Sequence, residues 1–279
     1  MESNPPHVRS TGHGPSVILL HSSASSGRQW DTLVAMLQPR YRLHVVDLHG
    51  HGAAAAWNAA HPMRLQDELA LVRPLLRAGG PVHLVGHSYG GALALKLAAT
   101  SPDQVASVAV YEPVLFRLLL DYSPRDRTMT DVLVAARSFR NWHALGRADR
   151  AGQRFVDFWS GAGTWDRLAP VPQQAIAGRM GSVIGHFDAL FSDTLSRAEL
   201  RGLGVPVLCL TGTRTQAAAR RIGELLRFAL PRAVHETVPD AGHMGPVTHA
   251  PAVARRIGAF LDARVADASP HAAGLLEAA

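Results

Sequence analysis

Cysteine and lysine are almost missing from this 279-residue chain: each occurs once, as Cys209 and Lys96. A single thiol excludes an internal disulfide framework and fits a reducing compartment. Cys209 lies in the apolar run 205–210, which predicts a buried thiol rather than a reactive one. The chain opens Met1-Glu2-Ser3-Asn4-Pro5-Pro6, without the basic start and apolar stretch of a secretory signal. No apolar run approaches the ~20 residues that cross a bilayer. These absences predict a soluble, cytoplasmic protein with no membrane partner. A dense basic block with interleaved aromatics is also missing. The formal charge is +6, but the arginines are dispersed, with pairs at Arg220-Arg221 and Arg255-Arg256 on predicted helices. That pattern reads as a solvated, arginine-biased surface and not as a nucleic-acid interface. His49-Gly50-His51-Gly52 sets two histidines two apart, yet no third ligand or carboxylate cluster lies nearby, so no metal is expected.

What is present is a large apolar complement. Apolar residues make up 47% of the chain and charged residues 18%, enough for a substantial core. Apolar runs alternate with helical patterns, which predicts an α/β fold: a mainly parallel sheet with flanking helices. The strand candidates are residues 17–20, 43–47, 82–85, 105–111, 205–210 and 234–238. The helix candidates are 29–37, 64–77, 89–100, 217–230 and 252–263. Pro74 should kink or end the second helix, and Pro62 sits just ahead of it. The segment before Val17 carries Gly12, Gly14 and Pro15 and reads as a short strand plus a turn.

Residues 114–201 break the alternation. They read as several short helices with turn signals at Pro124, Gly146, Gly161-Ala162-Gly163 and Pro170-Val171-Pro172. The aromatics Phe116, Trp142, Phe155, Phe158, Trp159, Trp165, Phe187 and Phe191 concentrate there. A helical insertion between parallel strands commonly covers a site as a cap. Most of these rings should form the insertion's own core, with one or two facing a pocket. The predicted organisation is a core over 1–113 and 202–264, a helical cap over 114–201 and a loose, alanine-rich tail over 265–279. Either a monomer or a homodimer is compatible with it.

The chemistry is concentrated at Gly86-His87-Ser88-Tyr89-Gly90, between a strand pattern and a helix pattern. A serine on a sharp strand-to-helix turn, with glycines two residues to either side, is a nucleophile elbow. The glycines are needed because neighbouring backbone crowds the turn. The turn lifts the Ser88 hydroxyl clear of the sheet and aims the next N–H groups at what it attacks. A serine hydroxyl needs a base, normally a histidine held in one tautomer by a carboxylate. His243, in the loop Asp240-Ala241-Gly242-His243-Met244-Gly245 after the last strand, is the candidate.

With these pieces in place the chain resembles the α/β-hydrolase fold family, in the group with a helical cap. The resemblance rests on Leu20-His21-Ser22-Ser23, Asp47-Leu48-His49-Gly50-His51-Gly52, the elbow at Ser88 and the Gly242-His243 loop, in family order from about Val17 to Leu261. It implies that the loop 47–52 is a structural turn fixed in part by Asp47. It also implies an acid shortly after strand 205–210, but that stretch reads Thr211-Gly212-Thr213-Arg214-Thr215-Gln216. Thr215 occupies the acid's position and cannot carry its charge. Some haloalkane dehalogenases, which share the fold, place a Glu after the preceding strand; here that residue is Glu112, in the order Ser88, Glu112, His243. Competing acids are Asp240, three residues before His243, and Asp188 and Asp193 in the insertion; a Ser–His dyad without an acid is the remaining alternative.

An oxyanion needs two N–H donors. One is expected from Tyr89, directly after the nucleophile. The other is expected from Ser23, with Ser22 as the alternative, where the family usually has His-Gly. The serine hydroxyls offer a further donor, or one of them caps the following helix. The resemblance therefore implies a cofactor-free serine hydrolase acting on a small acyl substrate, most simply a carboxylic ester. Lactonases, amidases, carbon–carbon bond hydrolases and perhydrolases share the same residues. A serine at the elbow argues against epoxide hydrolase and dehalogenase chemistry, which needs an Asp there. A small-molecule receptor of the same fold is the alternative from another class, and the uncharged Thr215 is its best support.

Overall fold

Alternation of side chains along the strands divides the apolar interior between two faces of one sheet. The computed structural model describes residues 7–58, 61–77, 80–122, 127–192 and 195–273. The strands are β1 (Val8–Thr11), β2 (Ser16–Leu20), β3 (Arg42–Val46), β4 (Val82–His87), β5 (Val105–Tyr111), β6 (Val207–Gly212) and β7 (Val234–Val238). They form a 7-stranded sheet in the order β1-β3-β2-β4-β5-β6-β7. β1 runs antiparallel to β3, and every other pairing is parallel. In β2, Ile18 and Leu20 join the larger core while Val17 and Leu19 join the smaller one, as the two-residue pleat requires. β5 divides in the same way, Val108 and Val110 against Ala109 and Tyr111. Polar ends of the central strands meet at one edge of this sheet, which is where a doubly covered parallel sheet offers a crevice.

The helices of the first half are α1 (Asp31–Leu37), α2 (Leu65–Val72) and α3 (Tyr89–Thr100). α3 is buried from Tyr89 to Ala98, because the sheet lies on one side and the inserted helices on the other. Lys96 is buried on it and lies 3.4 Å from Glu199. Between β5 and β6 come α4 (Phe116–Tyr122), α5 (Arg127–Ala144), α6 (Ala148–Ser160), α7 (Pro170–Gly178), α8 (Met180–Ser192) and α9 (Arg197–Arg201). Among the described residues this insertion contains no strand. Its aromatics pack on one another: Phe187 lies 4.9 Å from Phe139 and 5.4 Å from Phe116, ring centre to ring centre. The last helices are α10 (Ala217–Ala229), α11 (Gly245–Thr248) and α12 (Ala250–Ala273). Burial raises the Cys209 thiol to about 12, so it is protonated and inert at neutral pH.

Of the boundaries that differ from the sequence expectation, three have a clear local cause. The helix predicted over 64–77 divides at Pro74: α2 ends at Val72 and a 3₁₀ turn covers Arg73–Arg77, because proline donates no hydrogen bond. The strand predicted over 205–210 begins two residues later, since Pro206 contributes only its carbonyl, to Val108 N–H at 2.9 Å. Residues 265–273, expected to be loose, continue α12 to Ala273; alanine is the best helix former and the preceding turns have already met the cost of nucleation. Residues 1–6, Gly79, Pro124, Asp193 and the chain after Ala273 lie outside the described residues.

Candidate active site

The end of β4 turns into α3 at Ser88, whose φ of 54° lies where an L side chain is strained. That strain is tolerated because the surroundings leave no alternative. A Cβ at Gly86 would come within 2.4 Å of the Gly90 carbonyl oxygen, and one at Gly90 within 2.3 Å of the Leu20 carbonyl oxygen. The Ser88 N–H donates to the Tyr111 carbonyl at 3.0 Å, and its own carbonyl accepts from Val114 at 3.1 Å. The elbow is thereby fastened to the end of β5, where Glu112 sits with a φ of 42°.

Three candidates distant in sequence meet here. His243 Nε2 lies 3.0 Å from Ser88 Oγ, and His243 Nδ1 lies 2.7 Å from Glu112 Oε2. All three are buried. The Glu112 carboxylate also accepts from the Gly212 N–H at 2.8 Å, through Oε1, and from the Thr215 hydroxyl at 2.7 Å, through Oε2. Thr215 thus stands beside the carboxylate it does not supply: the acid enters the same space from β5 instead of from β6. The competing acids are elsewhere. Asp240 is exposed and pairs with Arg214 at 2.8 Å, and Asp188 pairs with Arg140 on α5.

Several residues that sequence reasoning passed over hold these groups in place. His87 Nε2 donates to the His243 carbonyl at 2.8 Å, and His87 Nδ1 lies 3.3 Å from Gln29 Nε2. Burial holds the His87 pKa well below the ordinary 6.5, so the ring is neutral and accepts at Nδ1. Gln29 Oε1 in turn accepts from the Ser22 N–H and the Ser22 hydroxyl, each at 3.1 Å. Ser22's amide is therefore engaged within the protein, which removes it from the donors open to a substrate. Ser23 is next, and its hydroxyl lies 2.8 Å from His186 Nδ1 on α8. Ser26 precedes the 3₁₀ turn without a side-chain cap bond. Tyr89 opens α3, and its ring stacks on His186 at 3.8 Å.

The histidines of 49–52 serve the loops. His51 Nε2 accepts from Ala24 N–H at 3.0 Å, and His51 Nδ1 donates to the His49 carbonyl at 2.8 Å. Asp47 accepts from the Gly27 and Ala53 N–H groups at 2.8 and 3.0 Å, and these bonds hold its carboxyl below the usual range against its burial. Among the described residues no three His, Cys, Asp or Glu side chains are grouped as a metal site.

Ser88 and His243 open into a cavity of about 780 Å³. Its walls are Phe155, Val156, Trp159, Leu168 and Ile176 of the insertion, together with Ser22 and Ser23. Trp159 stacks on the His243 imidazole, 4.5 Å between ring centres and 22° from parallel. It and Phe155 are the aromatics that face the pocket; Phe139 and Phe187 stay in the insertion's core. Among the described residues no helix is long and apolar enough to cross a membrane.

Known proteins resemble this chain over most of its length. The model of the alpha/beta hydrolase family matches residues 17–256. The chain is 26% identical over 253 residues to a pimeloyl-(acyl-carrier protein) methyl ester esterase of Nitrosomonas europaea, covering 85% of this chain and 92% of that one. It is 36% identical over 155 residues to Lipase LipV of Mycobacterium tuberculosis, covering 54% of this chain and 56% of that one. Among solved structures, an enol-lactonase from Burkholderia xenovorans superposes with a TM-score of 0.69 at 24% identity, covering 92% of this chain and 96% of that one.

Proposed function

Because this chain belongs to the alpha/beta hydrolase family, we propose that it is a serine hydrolase that cleaves a carboxylic ester of modest size through an acyl-enzyme. One observation carries the reading: the unbroken line from Ser88 Oγ through His243 to Glu112, with contacts of 3.0 and 2.7 Å. Ser88 attacks the ester carbonyl carbon, and its proton passes to His243 Nε2. Glu112 keeps the other ring nitrogen protonated and stabilises the imidazolium that forms. Charge developing on the carbonyl oxygen is taken by the N–H groups of Tyr89 and Ser23, the former at the N-terminus of α3. His243 then gives its proton to the leaving alcohol. Water, deprotonated by the same imidazole, attacks the acyl-enzyme and releases the acid. The ester assignment is supported by the activities named for the esterase and lipase relatives. It is also supported by a cavity whose volume suits a small ligand and whose walls are largely apolar.

The test is a set of p-nitrophenyl esters of graded chain length, with the fluorophosphonate reaction of Ser88 followed by mass spectrometry. We expect burst kinetics, labelling at Ser88 alone, and a loss of about 10⁶-fold in kcat for Ser88→Ala. Unchanged hydrolysis by Ser88→Ala, or a fluorophosphonate adduct on another residue, would refute the assignment.

A further inference from the structure

A second line of buried polar groups runs beside the first and the reaction just described does not use it. It links α2, α8 and the loop after β2. Glu68 and His186 are both fully buried, and His186 Nε2 lies 3.2 Å from Glu68 Oε1. The contact falls short of hydrogen-bond geometry, and among the described residues neither atom has another hydrogen-bond partner. At its far end His186 Nδ1 reaches Ser23 Oγ at 2.8 Å. The imidazole plane is fixed from both faces, by Tyr89 at 3.8 Å and His51 at 4.7 Å. Burying a carboxylate and an imidazole costs several kcal/mol unless each is neutral or has a partner. Glu68 moreover interrupts the apolar face Leu65, Leu69 and Val72 of α2, where an aliphatic residue would pack at no such cost.

We propose that Glu68 and His186 are positioning residues that turn the Ser23 hydroxyl toward the substrate, making it an additional donor to the oxyanion. Glu68 Oε2 accepts from the His49 N–H at 3.3 Å, so the carboxylic proton is placed on Oε1, 3.2 Å from His186 Nε2. A small rotation that brings the two into line makes the imidazole the Nδ1–H tautomer, which donates to Ser23 Oγ. The Ser23 hydrogen is then directed away from His186, into the cavity that Ser88 lines. No proton leaves the line during a cycle. Burial raises the Glu68 pKa to about 7 and holds that of His186 well below 6.5, so both groups are neutral below pH 7. The other groups facing the pair are His21, His49 and His51 from the core loops and Asp67 on α2 itself. Because α8 belongs to the insertion, this donor is set only when the insertion is seated on the core.

The proposal rests on the serine-hydrolase reading, and the experiment separates the two. Ser23→Ala, His186→Phe, Glu68→Ala and Glu68→Gln are compared with wild type in p-nitrophenyl ester kinetics and in affinity for phenylboronic acid, a tetrahedral analogue. Ser23→Ala and His186→Phe are expected to lower kcat by about 100-fold with KM within twofold, and to weaken the boronic acid in parallel. Gln at 68 mimics the protonated acid, so Glu68→Gln should restore most of the kcat that Glu68→Ala loses. It should also abolish any fall in kcat as Glu68 ionises above pH 7. Ser23→Ala with wild-type kcat and boronic acid affinity overturns the proposal, as does Glu68→Gln no better than Glu68→Ala. If Glu68→Ala does not fold, Ser23→Ala and the Glu68→Gln pH profile decide. Failure of the hydrolase reading itself looks different: wild type would then show neither turnover nor fluorophosphonate labelling, or both would survive Ser88→Ala.

Discussion

Replacing Glu112 by glutamine tests the site through a tautomer. The carboxylate accepts from Gly212 N–H, the Thr215 hydroxyl and His243 Nδ1. In Glu112→Gln the Gly212 N–H still demands an oxygen, so the amide nitrogen must occupy the Oε2 position and donate to His243 Nδ1. Thr215 adapts by rotating its hydroxyl, but the imidazole must shift its proton to Nε2, facing Ser88. The base then cannot accept the serine proton. By analogy with triads in which the acid is made neutral, kcat should fall about 10⁴-fold, equivalent to ~5 kcal/mol of transition-state stabilisation. Adding Thr215→Asp should reverse much of this. Thr215 Oγ1 already lies 2.7 Å from Glu112 Oε2, and an aspartate reaches one bond further, so that its carboxylate accepts from the amide at 112 and from His243 Nδ1. The double variant should exceed Glu112→Gln by about 100-fold in kcat, whereas Thr215→Asp alone forces two carboxylates together and drives a proton onto one of them. Steady-state p-nitrophenyl ester kinetics, with thermal melting to show that each variant is folded, make the measurement. Glu112→Gln keeping more than a tenth of wild-type kcat would refute this account of the acid.

Three further outcomes follow from features of the fold. Trp159→Leu keeps an apolar wall but removes the ring stacked on His243, worth about 1 kcal/mol, and should lower kcat about fivefold; a change confined to KM would show that the ring only lines the pocket. Gly90→Ala places a methyl group 2.3 Å from the Leu20 carbonyl oxygen and should cost about 3 kcal/mol, the upper end for overpacking, read as a lower melting temperature with loss of fluorophosphonate labelling. For Glu68 the folded pKa, about 7, lies above the ordinary 4.5, so its stabilising contribution is complete below 4.5 and is lost as pH rises toward 7. The stability of Glu68→Gln relative to wild type should therefore climb by up to ~3 kcal/mol between pH 4.5 and 7; a difference that stays flat in denaturant titrations across that range would contradict it.

The first line of candidate site residues was legible because each member is announced by local chain geometry. Ser88 lies between glycines at a strand-to-helix boundary, and Glu112 and His243 stand at or just after strand ends, where parallel topology gathers side chains at one edge. Thr215 was legible as a vacancy, but not as a hydrogen-bond donor to the Glu112 carboxylate beside it. The supporting residues were harder to see. Gln29 and His87 act through contacts of 58 and 156 positions' separation, which no window along the chain reveals. Glu68 and His186 did leave a signal: each is a polar residue on an otherwise apolar helical face, Leu65, Leu69 and Val72 around one and Val183, Phe187 and Leu190 around the other. Which partner such a residue meets is fixed by tertiary packing, and here the two partners lie on separate parts of the chain.

The seclusion of Cys209 has a practical corollary. A thiol held protonated inside the sheet ignores maleimides while the protein is folded, so a cysteine introduced at Val171, which is 75% exposed on α7, becomes the sole attachment point for a dye or spin label. A probe there reports the departure of the inserted helices from their seat without a competing signal, and a second one on α12 turns that departure into a measurable distance.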